Sequence, residues 1–179
     1  MSSIDQKNIV LIGMPGVGKS TIGVLLAKQL GYSFLDTDLV IQVGEGKTLQ
    51  QLILKHKISG FCDLEEKYIL SVDVGCHVIA TGGSVVYGKA AMRHLKADGI
   101  VVHLDLSLDR LTTRLGDLDA RGVAIASGRS LSDLYAERQP LYLTYADRTV
   151  ATDGLTPDQV VSHIMAMLNI SKEFLNVVI

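Results

Sequence analysis

Tryptophan is absent from the 179 residues, and aromatic side chains make up only 5% of them. That excludes stacking platforms of the kind that hold single-stranded nucleic acid. Neither sign of charge is in excess. Lys and Arg number 17 against 19 Asp and Glu, a formal net charge of -2, so no basic field exists to hold nucleic acid or an anionic membrane. There are two cysteines, Cys62 and Cys76, with no CxxC pair, which excludes a disulfide framework or a zinc motif. The five histidines are scattered, without metal-site spacing. No apolar run approaches the roughly 20 residues that span a bilayer, and the opening MSSIDQKNIV lacks the basic and apolar segments of a signal peptide. A cytoplasmic location is the expectation. With 47% hydrophobic and 20% charged residues the chain is not disordered, and a chain this long buries about 70% of its unfolded surface on folding. One domain over 1–179 is expected.

Short apolar runs alternate with helical periodicity. Strands are predicted at Asn8–Ile12, Ser33–Leu35, His77–Ala80, Ile100–Leu104 and Arg148–Ala151. Helices are predicted at Lys19–Leu30, Thr48–Lys55, Gly60–Val72, Lys89–Lys96, from Ser107 to about Leu115, and from about Leu131 with a kink at Pro140. A last helix starts with Thr156 as cap, Pro157 in the first turn and Asp158 beside it. Residues 116–128 hold three glycines and no period, and read as a loop. Strands alternating with helices predict an α/β fold, a three-layer sandwich around a five-stranded parallel sheet.

The strongest chemical signal is GMPGVGKST, Gly13 to Thr21, which fits GxxxxGK[ST] between a strand and a helix. In such a loop Gly13, Gly16 and Gly18 permit close backbone approach, and the N–H groups around Val17 surround phosphate oxygens. Lys19 reaches the terminal phosphates, and Ser20 offers a hydroxyl to Mg²⁺, with Thr21 behind it. ATP and Mg²⁺ are the expected ligands. No NKxD segment points to a GTPase, and no LSGGQ segment points to an ABC-type ATPase.

Asp36 and Asp38 follow the second strand, where open α/β sheets bind ligands. One can hold the water shell of Mg²⁺ while the other accepts a hydrogen bond from an attacking hydroxyl; the plainer alternative is a helix N-cap with an acid in the first turn. Gly82 and Gly83, after the third strand, would let a substrate approach the backbone. Arg114, Arg121 and Arg138 complete the set.

These motifs together resemble the shikimate kinase family. The matching residues are Gly13 to Thr21, Phe34 to Asp38, Gly46-Lys47-Thr48, Phe61 with Glu65, Thr81-Gly82-Gly83, Arg114 with Arg121, and Arg138 to Tyr142 ahead of Ala146-Asp147. The resemblance implies a P-loop kinase fold with a mobile lid at about 116–128 and an acceptor-binding region at about 36–65. It implies phosphoryl transfer from ATP to shikimate. Lys19 would stabilise the moving phosphoryl group, and Ser20 would ligate Mg²⁺ with Asp36 in its outer shell. Asp38 would bind the acceptor hydroxyl and act as base, and Gly82 and Gly83 would line the acceptor pocket. Arg121 would swing in from the lid, and Arg138 would pair with the acceptor's carboxylate. Arg114 and Pro157 would flank adenine. The partner is then a small hydroxy acid, with no nucleic acid and no membrane, and a monomer is expected.

The chain departs from the family pattern at Cys62, where the family has arginine, at Ser84, where it has a third glycine, and at Gly122 after Arg121, where it has proline. A lost charged hydrogen bond at position 62 is worth about 1.5–3 kcal/mol. Lys55, Lys57 or Arg93 are the candidates to replace that cation, and the Ser84 hydroxyl is free to bind a different acceptor. The rival readings are a kinase of gluconate or another polyol acid, and a nucleotide-binding regulatory protein without transfer activity.

Overall fold

A computed structural model describes residues 7–115 and 129–170. Five strands form one sheet: β1 (Asn8–Ile12), β2 (Ser33–Asp36), β3 (His77–Ala80), β4 (Gly99–Asp105) and β5 (Arg148–Ala151). All neighbours are parallel and the order is β2-β3-β1-β4-β5. The helices are α1 (Lys19–Leu30), α2 (Thr37–Glu45), α3 (Leu49–Leu70), α4 (Lys89–Ala97), α5 (Leu108–Leu115), α6 (Leu131–Tyr145) and α7 (Pro157–Met167).

The strand order decides the layers. The crossover from β1 to β2 runs one way across the sheet, and those from β2 to β3, β3 to β4 and β4 to β5 run the other way. Right-handed crossovers therefore put α1 on one face and α3, α4 and α6 on the opposite one. The packing agrees, since α1 lies against α7, β2 and β3, while α4 lies against α3 and β4. The central strand β1 is covered on both faces, which is why Ile9 to Ile12 form an unbroken apolar run and all five of its residues are buried.

The expected strands are all present, and two local features differ from expectation. Helix α2 is an addition; its nine residues TDLVIQVGE were too short to show a clear period, yet Asp36 caps its start and Gly46 ends it in the left-handed conformation. The two helices predicted on either side of residue 57 are both present; they are taken together as α3 and meet at a non-helical joint at Lys57 (φ 59°, ψ 178°). Helix α6 runs on through Pro140 to Tyr145. The proline has no N–H to donate, but the Ser130–Asp133 capping box and buried Leu134, Arg138 and Tyr142 hold the helix on both sides.

Two apolar cores result. The larger joins the sheet to the helices on both faces. The smaller consists of Ile41, Leu52 and Phe61, with Leu49, Ile53, Leu64 and Tyr68 around them, and holds α2 against α3. Among the described residues no helix is long and apolar enough to cross a membrane.

Candidate active site

Sheet register brings three loops to one place. Leu11 of β1, Ala80 of β3 and Asp36 of β2 stand level, so the turns after them leave the same carboxyl edge side by side. A cavity of about 410 Å³ lies there, walled by Pro15, Gly16 and Gly18 to Thr21 on one side and by Asp38, Gly82, Gly83 and Arg138 on the other.

The first wall is the turn between β1 and α1. Gly13 adopts φ 144°, and a Cβ there would meet the Leu104 carbonyl at 2.5 Å, so only glycine fits. Gly18 caps α1 at φ 106° without a side chain, which leaves the first N–H groups of the helix open to an anion. Lys19 is buried and donates from Nζ to the carbonyls of Gly13 (2.8 Å) and Met14 (3.0 Å). Burial lowers its pKa to about 8, partly countered by Asp38. Val17 sends its N–H to Met14 and takes a hydrogen bond from Arg114 Nη1 on its carbonyl, at 3.2 Å.

Asp36 is the helix cap weighed for it, and it also reaches the phosphate turn. Its Oδ1 accepts the Asp38 N–H (3.0 Å) and so caps α2, while its Oδ2 accepts from Ser20 Oγ at 2.7 Å. Two oxygen groups from separate elements thus meet at the foot of α1. They suit a hard cation that keeps most of its shell as water and phosphate oxygen. Among the described residues no cluster of three or more His, Cys, Asp or Glu side chains forms a metal cage, so Mg²⁺ would have to be shared with a nucleotide.

Asp38 projects from the first turn of α2 into the cavity. Burial pushes its pKa up to about 6, with Asp36 adding to the rise and Lys19 opposing it. A Cβ on Gly82 would lie 2.9 Å from Asp38 Oδ1 and would overlap Glu65 Oε1. A Cβ on Gly83 would lie 2.8 Å from Pro15 Cδ and 3.1 Å from Arg138 Nη1. The bare backbone at 82–83 is therefore what keeps the cavity open between the two acids and the arginine.

Arg138 is 1% exposed. Its Nε donates to the Tyr87 hydroxyl (3.1 Å), and its guanidinium lies over the Tyr87 ring, 5.1 Å from the centroid. Tyr142, one helical turn on, donates to the Gly83 carbonyl at 2.7 Å and stacks on His103. Burial holds the Tyr142 hydroxyl protonated well beyond its usual range and keeps His103 neutral.

Tyr87 belongs to no motif and sits in a single 3-10 turn, Val85–Tyr87. Nothing in the sequence marked it; the buried arginine it supports is the signal that finds it. Glu65 is 1% exposed and accepts from Ser84 Oγ at 2.6 Å. The Ser84 hydroxyl is thus not free for an acceptor, contrary to expectation. Lys55, Lys57 and Arg93 are exposed and none lines the cavity, so none replaces a cation at position 62. Of the nearby acids only Glu65 turns inward: Asp63 is exposed, and Glu66 caps α4 through the N–H groups of Ala90 and Ala91.

A second cavity of about 280 Å³ opens on the other side of Gly16 and Gly18 and is lined by Arg114, Thr152, Leu155 and Pro157. The structure thus brings together every expected site residue except Arg121, which lies with the 116–128 lid outside the described residues.

Comparison with known proteins identifies the family. The family described as shikimate kinase matches residues 15–169. The shikimate kinase of Thermodesulfovibrio yellowstonii is 38% identical over 163 residues, covering 89% of this chain and 94% of the relative. That of Persephonella marina is 33% identical, covering 91% and 99%. Among solved structures, shikimate kinase from Acinetobacter baumannii in complex with shikimate superposes with a TM-score of 0.80 at 31% identity, over 91% of this chain and 93% of that one. The chain belongs to the shikimate kinase family.

Proposed function

We propose that this chain transfers the terminal phosphoryl group of ATP to a hydroxyl of shikimate, giving shikimate 3-phosphate and ADP. One observation carries the reading. Lys19, Asp38 and Arg138, a phosphate cation, a base and a carboxylate partner, line one cavity across a floor of bare glycine backbone.

The triphosphate lies in the Gly13–Thr21 turn, with its adenine in the cavity of Arg114 and Pro157. Lys19, already held on the loop's own carbonyls, exchanges them for phosphate oxygens as charge moves from donor to acceptor. Ser20 would ligate Mg²⁺ with Asp36 in its outer shell, and the ion would supply charge neutralisation on the phosphates. Arg121 brings a further cation from the 116–128 lid. Asp38 takes the hydrogen bond of the attacking hydroxyl and receives its proton as the new P–O bond forms. With a pKa raised to about 6 it is ionised at neutral pH yet more basic than an ordinary aspartate. Arg138 fixes the acceptor's carboxylate, its own orientation set by Tyr87. Most of the rate comes from positioning and charge. A single catalytic domain in the cytoplasm, with the acceptor region near 36–65, is part of the same reading.

The test is ADP release from ATP and Mg²⁺ with shikimate or gluconate as acceptor. Shikimate-dependent release is expected. Release only with gluconate, or no acceptor-dependent release, overturns the assignment. The rival of a nucleotide-binding regulator does not explain why Asp38 and Arg138 face the cavity.

A further inference from the structure

The acceptor wall holds a buried acid that the proposed reaction leaves unused. Glu65 has one polar partner, the neutral Ser84 hydroxyl on Oε2. Its other oxygen, Oε1, is buried without a partner and lies against Gly82 beside Asp38 Oδ1. No described cation forms an ion pair with it. An ionised carboxylate buried in this way is costly, whereas a protonated one is not.

The charge balance gives that proton a use. The groups facing Glu65 are Asp38 from α2, Lys19 from α1, Arg138 and Tyr142 from α6, Ser84 from the turn after β3 and Cys62 from its own helix. Tyr142 is neutral, and the Cys62 thiol, pushed up to about 11 chiefly by burial, is neutral too. Lys19 and Arg138 then stand against Asp38 and Glu65. With both acids ionised the cluster has no net charge to attract a carboxylate. With Glu65 protonated, one positive charge remains, and it sits on Arg138. Cys62 is three residues before Glu65 on the same helix, so a guanidinium at 62 would supply that charge and pair with the acid directly.

We propose that Glu65 admits an anionic acceptor in its protonated form, its proton doing the electrostatic work of a second arginine, with Ser84 as the residue that holds the carboxyl in place. The inference rests on the kinase reading of this cavity. Burial, with a further push from Asp38, raises the pKa of Glu65 to about 7, against the pull of Ser84, Arg138 and Lys19, so the proton is lost within the physiological range. Acceptor affinity consequently falls as pH rises through neutrality. The site selects for anionic acceptors when slightly acidic and loses that preference when alkaline.

The experiment follows KM for shikimate and for ATP in the full chain from about pH 6 to 9. In the wild type the shikimate KM climbs toward tenfold per pH unit above about 7, while the ATP KM rises only from about pH 8, where Lys19 loses its proton. Glu65→Gln and Cys62→Arg each flatten the climb. Ser84→Gly raises the shikimate KM below about pH 7, where the carboxyl is no longer held in place, and moves the climb to higher pH, and Ser84→Thr restores both; a wild-type KM profile in Ser84→Gly removes Ser84 from the role. Independently of turnover, the carbon-13 signal of the Glu65 carboxyl titrates near neutrality in the wild type and moves into the ordinary carboxylate range in Cys62→Arg. Turnover of shikimate with a flat KM profile, or a Glu65 midpoint below about 5, overturns this inference and leaves the kinase reading intact. Absence of shikimate turnover at every pH overturns the kinase reading itself.

Discussion

The nucleotide side of the cavity grows out of the sheet, whereas the acceptor side is divided: Gly82, Gly83 and Arg138 are carried by β3 and α6 on the main core, and Asp38 and Phe61 hang on α2 and α3. The Gly13–Thr21 turn follows β1, whose residues Ile9 to Ile12 are all 0% exposed, and it is anchored through the main core. The α2–α3 part of the acceptor wall rests on a separate core of three buried residues and on the joint at Lys57. Where charge must be pre-arranged around a transferring phosphate, the backbone is fixed by the largest core available. Where an acceptor must enter, the support is smaller and separately adjustable. The charges follow the same division: the phosphate turn offers N–H groups and Lys19, while the acceptor wall adds the buried Glu65 and Arg138.

The sharpest contrast between the two walls comes from removing their central charges. Lys19→Ala lowers turnover on the order of a thousandfold, since the cation acts where charge develops; steady-state kinetics at saturating substrates measures it. Asp38→Asn lowers kcat by about 10²–10³-fold and leaves ATP affinity, read by nucleotide titration, near the wild-type value. In the wild type kcat falls as pH drops through about 6, because the base must be ionised. Arg138→Lys keeps the charge and loses the fork; the shikimate KM rises about 10–100-fold with little change in the ATP KM. A similar rise in both would mean that the walls are not separable.

The supporting cores give a finer test. Phe61→Ala costs about 3–4 kcal/mol locally and raises the shikimate KM far more than the ATP KM, whereas Leu11→Ala lowers global stability in denaturant titration by a comparable amount. Smallest of all, Lys57→Gly relieves the backbone at φ 59° and raises stability by about 1 kcal/mol in thermal unfolding.

The same division explains what could be read ahead of the structure. The inner strands β1, β3 and β4 were legible because buried parallel strands are mainly apolar runs, and the phosphate turn because Gly13, Gly16, Gly18, Lys19 and Ser20 form a dense motif. The acceptor side was legible only as scattered residues. Helix α2 has nine residues, too few for a period to stand out, whereas the break in α3 at Lys57 could be read as the gap between two helical patterns. Cys62 and Ser84 stood out as departures, but their connection did not. It depends on Glu65 lying between them in space, and Ser84 is 19 residues further along the chain. Tyr87 carried no signal because its role exists only once α6 delivers Arg138 to its hydroxyl.

Asp36 spends one oxygen on the first turn of α2 and the other on the Ser20 hydroxyl. The start of the acceptor helix is thereby fastened to the foot of the phosphate helix by one side chain. Any cation that draws Ser20 or Asp36 toward itself tugs on the helix that carries Asp38. Loading the donor nucleotide can in this way trim the position of the base before the acceptor arrives, and an order of substrate addition would then be built into a single carboxylate.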